Sequence, residues 1–266
     1  MAGCSEPREG CLDVRAVNFD VRADNACPDC CVFPTLKLTF IHQYIPPSNP
    51  DTILTFKYGV PYESPLNPDH LFSVDRFRFY ISNVKFTDLQ GNVVGVEDSL
   101  ELQTTSGQTF QTENNFALVD RSIFASATLQ NFIAPGQFVR IGFDIGLSDE
   151  IRQTDPASVP DGHPLSLASD SLMYDPASGY LSGLLALNRD TISGLDSTVV
   201  AGFEPTRFEQ VLLPSVTFLE GVNVEVRIQI LYNKIFENID VRTDTEADIR
   251  SHLTQNFPNA FRIVAI

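Results

Sequence analysis

The chain has 266 residues, 43% of them hydrophobic, which excludes a disordered chain and a collagen-like repeat. Its 18 Lys and Arg against 34 Asp and Glu give a net charge of -16, a field that repels polyphosphate and argues against nucleic acid or an anionic lipid surface as partner. Twenty Phe with no Trp, 17 Pro and 15 Gly favour many strands joined by turns over a helical bundle. At this length, one large β domain with an appendage is as natural as two domains.

The appendage is marked by cysteine. Cys4, Cys11, Cys27, Cys30 and Cys31 all fall within the first 31 residues, and the remainder has none. The division expected is a Cys-rich segment over 1–31 and a Cys-free domain over 32–266. Ala2-Gly3-Cys4 matches the small-small-Cys end of a bacterial lipoprotein signal, so Cys4 is the expected lipidation site. Met1 to Gly3 hold no apolar leader, and the chain is read as processed. Cys11, Cys27, Cys30 and Cys31 are then candidates for two disulfides in any of three connectivities, which places the protein in an oxidising compartment. Adjacent Cys30 and Cys31 do not readily bridge each other. As a zinc half-site, Cys27-Pro-Asp-Cys30 lacks the second pair that a Cys4 site needs. The stretch from Gly10 to Cys27 resembles a short Cys-bounded module of secreted Bacteroidetes proteins. Its Asp13, Asn18, Asp20 and Asp24 offer oxygen ligands to Ca²⁺, against the plainer reading of a solvated, turn-rich loop.

Beyond the cysteines, Leu36, Leu38 and Phe40 alternate with polar residues, the period of a half-buried strand, ended by Pro46 to Pro50. Leu54, Phe56 and Tyr58 predict a second strand, followed by a Pro-rich loop. Arg76 to Phe86 predicts a long strand closed by a turn at Gln90-Gly91-Asn92. Val139, Ile141, Phe143, Ile145 and Leu147 alternate again. So do Val222, Val224, Val226, Ile228 and Ile230. Ser148 to Asp175, rich in Asp, Pro and Ser, reads as the longest irregular loop. Thr245 to Asn256 alone reads as helix: Thr245 caps it, Glu246 and Asp248 suit its positive end, and Ile249 and Leu253 sit four apart. One helix does not cover two sheet faces. The fold expected is all-β, an antiparallel β-sandwich with one short C-terminal helix and a Cys-rich N-terminal extension. No run of 18 apolar residues is present, which leaves a lipid anchor as the membrane attachment.

Phe79-Tyr80-Ile81-Ser82-Asn83-Val84, followed by Gly91-Asn92, resembles the MbnP-like family, periplasmic or lipid-anchored β-sandwich proteins. Phe143-Asp144-Ile145-Gly146-Leu147 is similar to the family's Phe-Xaa-Ile-Gly-Val strand end, and Leu172-Met173-Tyr174 with Gly179-Tyr180 to its Met-Tyr-Trp and Gly-Tyr block. The likeness runs from about residue 36 to the C-terminus. It implies a periplasmic or cell-surface location, attachment to the outer membrane through lipid, and copper held by histidines. In some members it also implies a tryptophan oxidised to kynurenine by a partner dihaem cytochrome c peroxidase. This chain departs from that pattern: Asp175-Pro176-Ala177-Ser178 stands where the family has two tryptophans, and no histidine lies between His163 and His252.

The candidate metal ligands are therefore His42, His70, His163 and Asp175. His42 is in phase with Leu36, Leu38 and Phe40 and matches a strand histidine of many relatives; the competing reading is a core-edge histidine bonded to a carbonyl. His252 reads as helical and exposed. A copper site needs two or three converging imidazoles. Asp155, Asp161 and Asp170 form the calcium alternative, which belongs to a second functional reading, a cell-surface adhesion or glycan-binding module. Zinc-protease, serine-hydrolase and phosphate-loop motifs are absent, and Gly142 to Gly146 carries Asp where a nucleophile elbow needs Ser. The reading is of a binding or redox-partner protein rather than an enzyme.

Overall fold

The computed structural model describes residues 7–123, 125–189 and 197–266, so Cys4 lies outside the described residues. In chain order the principal strands are β1 (Leu36–Tyr44), β2 (Leu71–Asp88), β3 (Ser99–Gln103), β4 (Thr109–Glu113), β5 (Phe116–Asp120) and β6 (Ser126–Leu129). They continue with β7 (Gly136–Ile145), β8 (Gly183–Asn188), β9 (Ser197–Ala201), β10 (Thr206–Phe218), β11 (Val224–Leu231) and β12 (Phe261–Ala265). The helices are α1 (Asp149–Arg152), α2 (Leu167–Asp170), α3 (Tyr232–Ile235) and α4 (Glu246–Ala260). One sheet runs β9-β8-β2-β7-β10, with β5 also paired to β2; the other runs β6-β1-β11-β12. β3 and β4 make a separate hairpin.

Alternation decides the faces. In β1, Leu36, Leu38, Phe40, His42 and Tyr44 are all buried while their neighbours are not. In β11, Val224, Val226, Ile228 and Ile230 do the same, whereas Val222 lies outside the strand and is 49% exposed. These inner faces meet Phe77, Phe79 and Ile81 of β2 and Ile141, Phe143 and Ile145 of β7 in one apolar core, the sandwich expected from the period-two pattern. One pairing differs from the expected antiparallel order: β1 and β11 run parallel, Val224 opposite Leu36. Parallel neighbours need a long crossover, and here most of the chain supplies it. The predicted strand at Leu54 to Tyr58 is only Leu54–Thr55, paired to the end of β1. In β7 the pairing shifts between Phe138 and Arg140, so Phe138 is buried and Val139 drops out of phase. A bulge changes which face a residue takes without changing composition.

The predicted helix is α4. The Thr245 hydroxyl accepts from Asp248 N–H at 3.2 Å, and the Asp248 carboxylate accepts from Thr245 N–H at 3.0 Å, a capping box. Ile249, Leu253 and Phe257 point into the core, where Phe257 meets the rings of Phe77, Phe79 and Phe203. The helix is not the end of the chain's structure: β12 follows it and pairs with β11. Ser148 to Asp175 is not a bare loop either. It carries α1, α2 and 3-10 turns, and with Tyr180 it seals a second apolar cluster over the outer face of β2, built on Tyr80, Phe116, Leu147, Leu165 and Met173.

The N-terminal segment is closed by Cys11–Cys31 and Cys27–Cys30. In the loop-entropy account the first, separated by 20 residues, contributes about 3 kcal/mol. The segment sits on the turn before β11. Gly221 there has φ of +65°, and a Cβ on it would come 2.8 Å from the Ala16 carbonyl oxygen, so both backbone conformation and space call for glycine.

The Tyr80 to Val84 block owes its character to a bulge. Gly142 opposes Lys85 and Asp144 opposes Ser82, so Asn83 and Val84 together face Phe143. Asn83 takes φ of +53°, a left-handed conformation that Asn tolerates better than most residues. The backbone groups displaced there are met by the Asn115 side chain, which accepts from Val84 N–H at 3.1 Å and donates to Val84 C=O at 2.9 Å. Replacing Asn115 with Ala strips both buried groups, and urea denaturation should show a loss of about 1–3 kcal/mol. A loss below about 0.5 kcal/mol, the range of ordinary surface substitutions, would contradict this role.

Candidate functional site

From Phe77 to Ser82, β2 is buried on both faces, so a charged residue there must be paired. Arg78 is such a residue. Its Nε donates to Asp120 Oδ2 of β5 at 2.6 Å, and its Nη1 donates to Asp170 Oδ2 at the end of α2. All three side chains are buried. The Asp120 carboxylate also accepts from Ser122 and Ile123 N–H, and Asp170 from Leu172 N–H. The 148–182 segment is thereby fastened to the central strand at one fixed height.

That fastening shapes a cleft of about 420 Å³ between β5, β6 and residues 160–169. Leu100, Phe116 and Leu129 give it apolar walls; Asn114, Asp161 and His163 supply polar groups. His163 Nδ1 accepts from Leu165 N–H at 3.1 Å. The proton therefore sits on Nε2, which donates to Asn114 Oδ1 at 2.9 Å. Asn114 Nδ2 in turn donates to Asp98 Oδ2 at 2.7 Å, and the Phe116 ring meets the imidazole edge-on. Burial lowers the His163 pKa to about 4, with the Asp98 charge opposing. The imidazole is neutral at pH 7, and both of its nitrogens are committed.

The other predicted ligands lie apart. His42 is in the sandwich core as its phase implied, 6% exposed, with Nδ1 2.9 Å from the Tyr232 hydroxyl and Nε2 without a partner. Its bond is to a hydroxyl rather than a carbonyl, and burial lowers its pKa to about 4, with Arg121 adding to the effect. His70 has a buried Nδ1 without a hydrogen bond. Asp175 caps the turn between Tyr174–Asp175 and Gly179–Tyr180, accepting from Ala177 N–H and the Ser178 hydroxyl. The three calcium candidates are separated in role as well: Asp155 caps Ala157 N–H, Asp161 lines the cleft and Asp170 holds Arg78. In the N-terminal segment Asp13 pairs with Arg15, Asp20 with Arg8, and Asp24 accepts from Arg8 N–H. Asn18 holds the Cys30 C=O and Val32 N–H. Among the described residues no group of three or more His, Cys, Asp or Glu is arranged to hold a metal ion.

A family model for MbnP matches residues 35–252. The chain belongs to the MbnP family. Among solved structures, MbnP from Methylosinus trichosporium matches this MbnP-family chain with a TM-score of 0.46 and 13% sequence identity, over 79% of this chain and 80% of that one. No curated protein matches. The family block Tyr80 to Val84 is here a structural device: Tyr80 fills the outer cluster, Ile81 and Val84 the sandwich core, the Ser82 hydroxyl donates to Gly146 C=O at 2.9 Å, and Asn83 makes the bulge. Asn114, Asn115, Asp98, Arg78 and Asp120 did not emerge from the sequence as site residues. The signals were an Asn-Asn pair before the apolar run of β5 and a lone Arg between two phenylalanines in a strand.

Two histidines whose folded pKa lies near 4 against an ordinary 6.5 make stability depend on pH. The unfolded chain binds the proton first, so the stability each contributes is fully present above 6.5 and is lost as pH falls towards 4. The slope is roughly 1.4 kcal/mol per pH unit for each. Between about pH 6.5 and 5 the denaturation free energy should fall accordingly, and His163→Gln should remove about half the slope. A flat profile, or one that His163→Gln leaves unaltered, would refute the assignment.

Proposed function

We propose that this MbnP-family chain is an envelope-facing binding protein, exported and tethered by lipid on Cys4, that takes a small polar ligand in the His163 cleft without a resident copper ion. The observation that carries the reading is the commitment of His163: Leu165 and Asn114 occupy its two nitrogens, leaving no lone pair for a metal. His42 offers one free nitrogen, but among the described residues it belongs to no group of three or more His, Cys, Asp or Glu that could hold a metal ion. The chain contains no tryptophan, so a dihaem peroxidase partner has no indole to oxidise here. The MbnP family is not a known enzyme family. The cleft's volume falls in the range of small-molecule sites, and its apolar walls with few polar groups are the usual composition of one. Disulfides suit an exported protein. Among the described residues no helix is long and apolar enough to cross a membrane.

The deciding experiment loads purified protein with copper, removes loose metal by gel filtration and measures what stays. Copper at well under one equivalent is expected; one tightly held equivalent overturns the reading. In parallel, a thermal-shift screen of small polar compounds should give ligands that raise Tm in the wild type and not in Asn114→Ala. Expressed behind a lipoprotein leader, the protein should sediment with membranes and Cys4→Ala should not; equal partition would remove the anchor from the account.

A further inference from the structure

Cys27-Pro28-Asp29-Cys30 forms a short-range disulfide that neither the sandwich nor the cleft uses. We propose that this bond is a thiol–disulfide exchange site, which oxidises a dithiol segment of a partner polypeptide, while Cys11–Cys31 is the structural staple beside it. This goes beyond the ligand-binding reading and does not depend on it.

Three observations support the division. Cys27 and Cys31 line an open cleft of about 530 Å³ with Leu12, Val14, Ala26 and Phe33. Leu12 and Val14 are exposed there, so an extended chain with apolar flanks has a surface to lie on beside the sulfur. The two disulfides then differ in what would leave when the cleft-side sulfur is attacked. Attack on Cys31 would expel Cys11, which is 1% exposed and would have to hold a thiolate away from water. Attack on Cys27 expels Cys30, which is only partly buried. Finally, the Cys27–Cys30 link spans only 3 residues against 20 for the other, so opening it releases little chain and the segment stays closed by Cys11–Cys31.

In the exchange, a partner thiolate attacks Cys27 Sγ, forming a mixed disulfide as the Cys27–Cys30 bond breaks, and Cys30 takes up a proton. The partner's second thiol gives its proton to solvent and attacks its own neighbour's sulfur in the mixed disulfide. That releases Cys27, which is protonated in turn. The partner dithiol is oxidised by two electrons and the Cys27–Cys30 bond is reduced to two thiols. The reverse sequence, with a disulfide of the same class, restores it.

The test exposes the oxidised full-length chain to graded dithiothreitol, quenches with an alkylating agent and maps labelled cysteines by peptide mass. Cys27 and Cys30 should be labelled at a dithiol concentration at least about tenfold below that needed for Cys11 and Cys31. Opening of both bonds together, or of Cys11–Cys31 first, overturns the proposal. In a second arm, the wild type should oxidise a reduced Cys-Xaa-Xaa-Cys peptide with apolar flanks, and the Cys27→Ser/Cys30→Ser variant should not. In Cys30→Ser, Cys27 should accumulate a mixed disulfide with the oxidised peptide. Equal peptide oxidation by wild type and double variant, or no adduct at Cys27, would also overturn it.

Discussion

A single buried guanidinium organises this molecule. Arg78 sits in the middle of β2, the strand to which β5, β7 and β8 all pair, within the stretch from Phe77 to Ser82 where neither face meets solvent. Its cost of desolvation is offset only because Asp120 and Asp170 approach from two different elements and are themselves held by backbone N–H groups. A buried ion cluster of this kind adds little net stability over apolar packing. What it does is choose an arrangement: β5 on one side and α2 on the other are set in register with the central strand. The 148–182 segment then covers the outer face, Leu165 and Met173 fill the outer apolar cluster, and His163 arrives within reach of Asn114.

The parts legible in the sequence are those where one periodicity governs one face. β1 and β11 alternate without a break, and His42 follows from phase alone. The helix was legible because Thr245 and Asp248 cap it and Ile249 and Leu253 define its buried stripe. The parts not legible depend on partners far away in the chain. Alternation is blind to strand direction, so the parallel pairing of β1 with β11 carried no local mark. Bulges at Phe138 to Arg140 and at Asn83 shift phase by one residue, which is why Val139 looks inward in the sequence and is not. The aspartates of the 148–182 segment look like a cation loop in one dimension. In three dimensions Asp155 and Asp175 cap turns, Asp161 lines the cleft and Asp170 holds Arg78.

The same distinction separates family from function. The block that carries the family likeness is occupied by fold-determining contacts, a left-handed Asn at a bulge and the Asn115 clamp across from it, and such contacts persist whatever the site holds. Imidazoles are a different matter, because a nitrogen that donates or accepts inside the protein is withdrawn from metal chemistry. His163 is bonded on both sides by Leu165 and Asn114, whereas His42 commits only Nδ1, to Tyr232 in the aromatic core, and keeps Nε2 free. The chain has the MbnP-family framework while His42 and His163 work as neutral hydrogen-bonding groups.

The most direct measurement is long-range proton–nitrogen NMR of the histidine side chains, followed through added Cu(I). The account predicts that at pH 7 His163 is neutral, with its proton on Nε2, and that its resonances do not move when Cu(I) is added. A His163 found in the other tautomer, charged at pH 7, or shifted together with His42 by one equivalent of Cu(I), would contradict it.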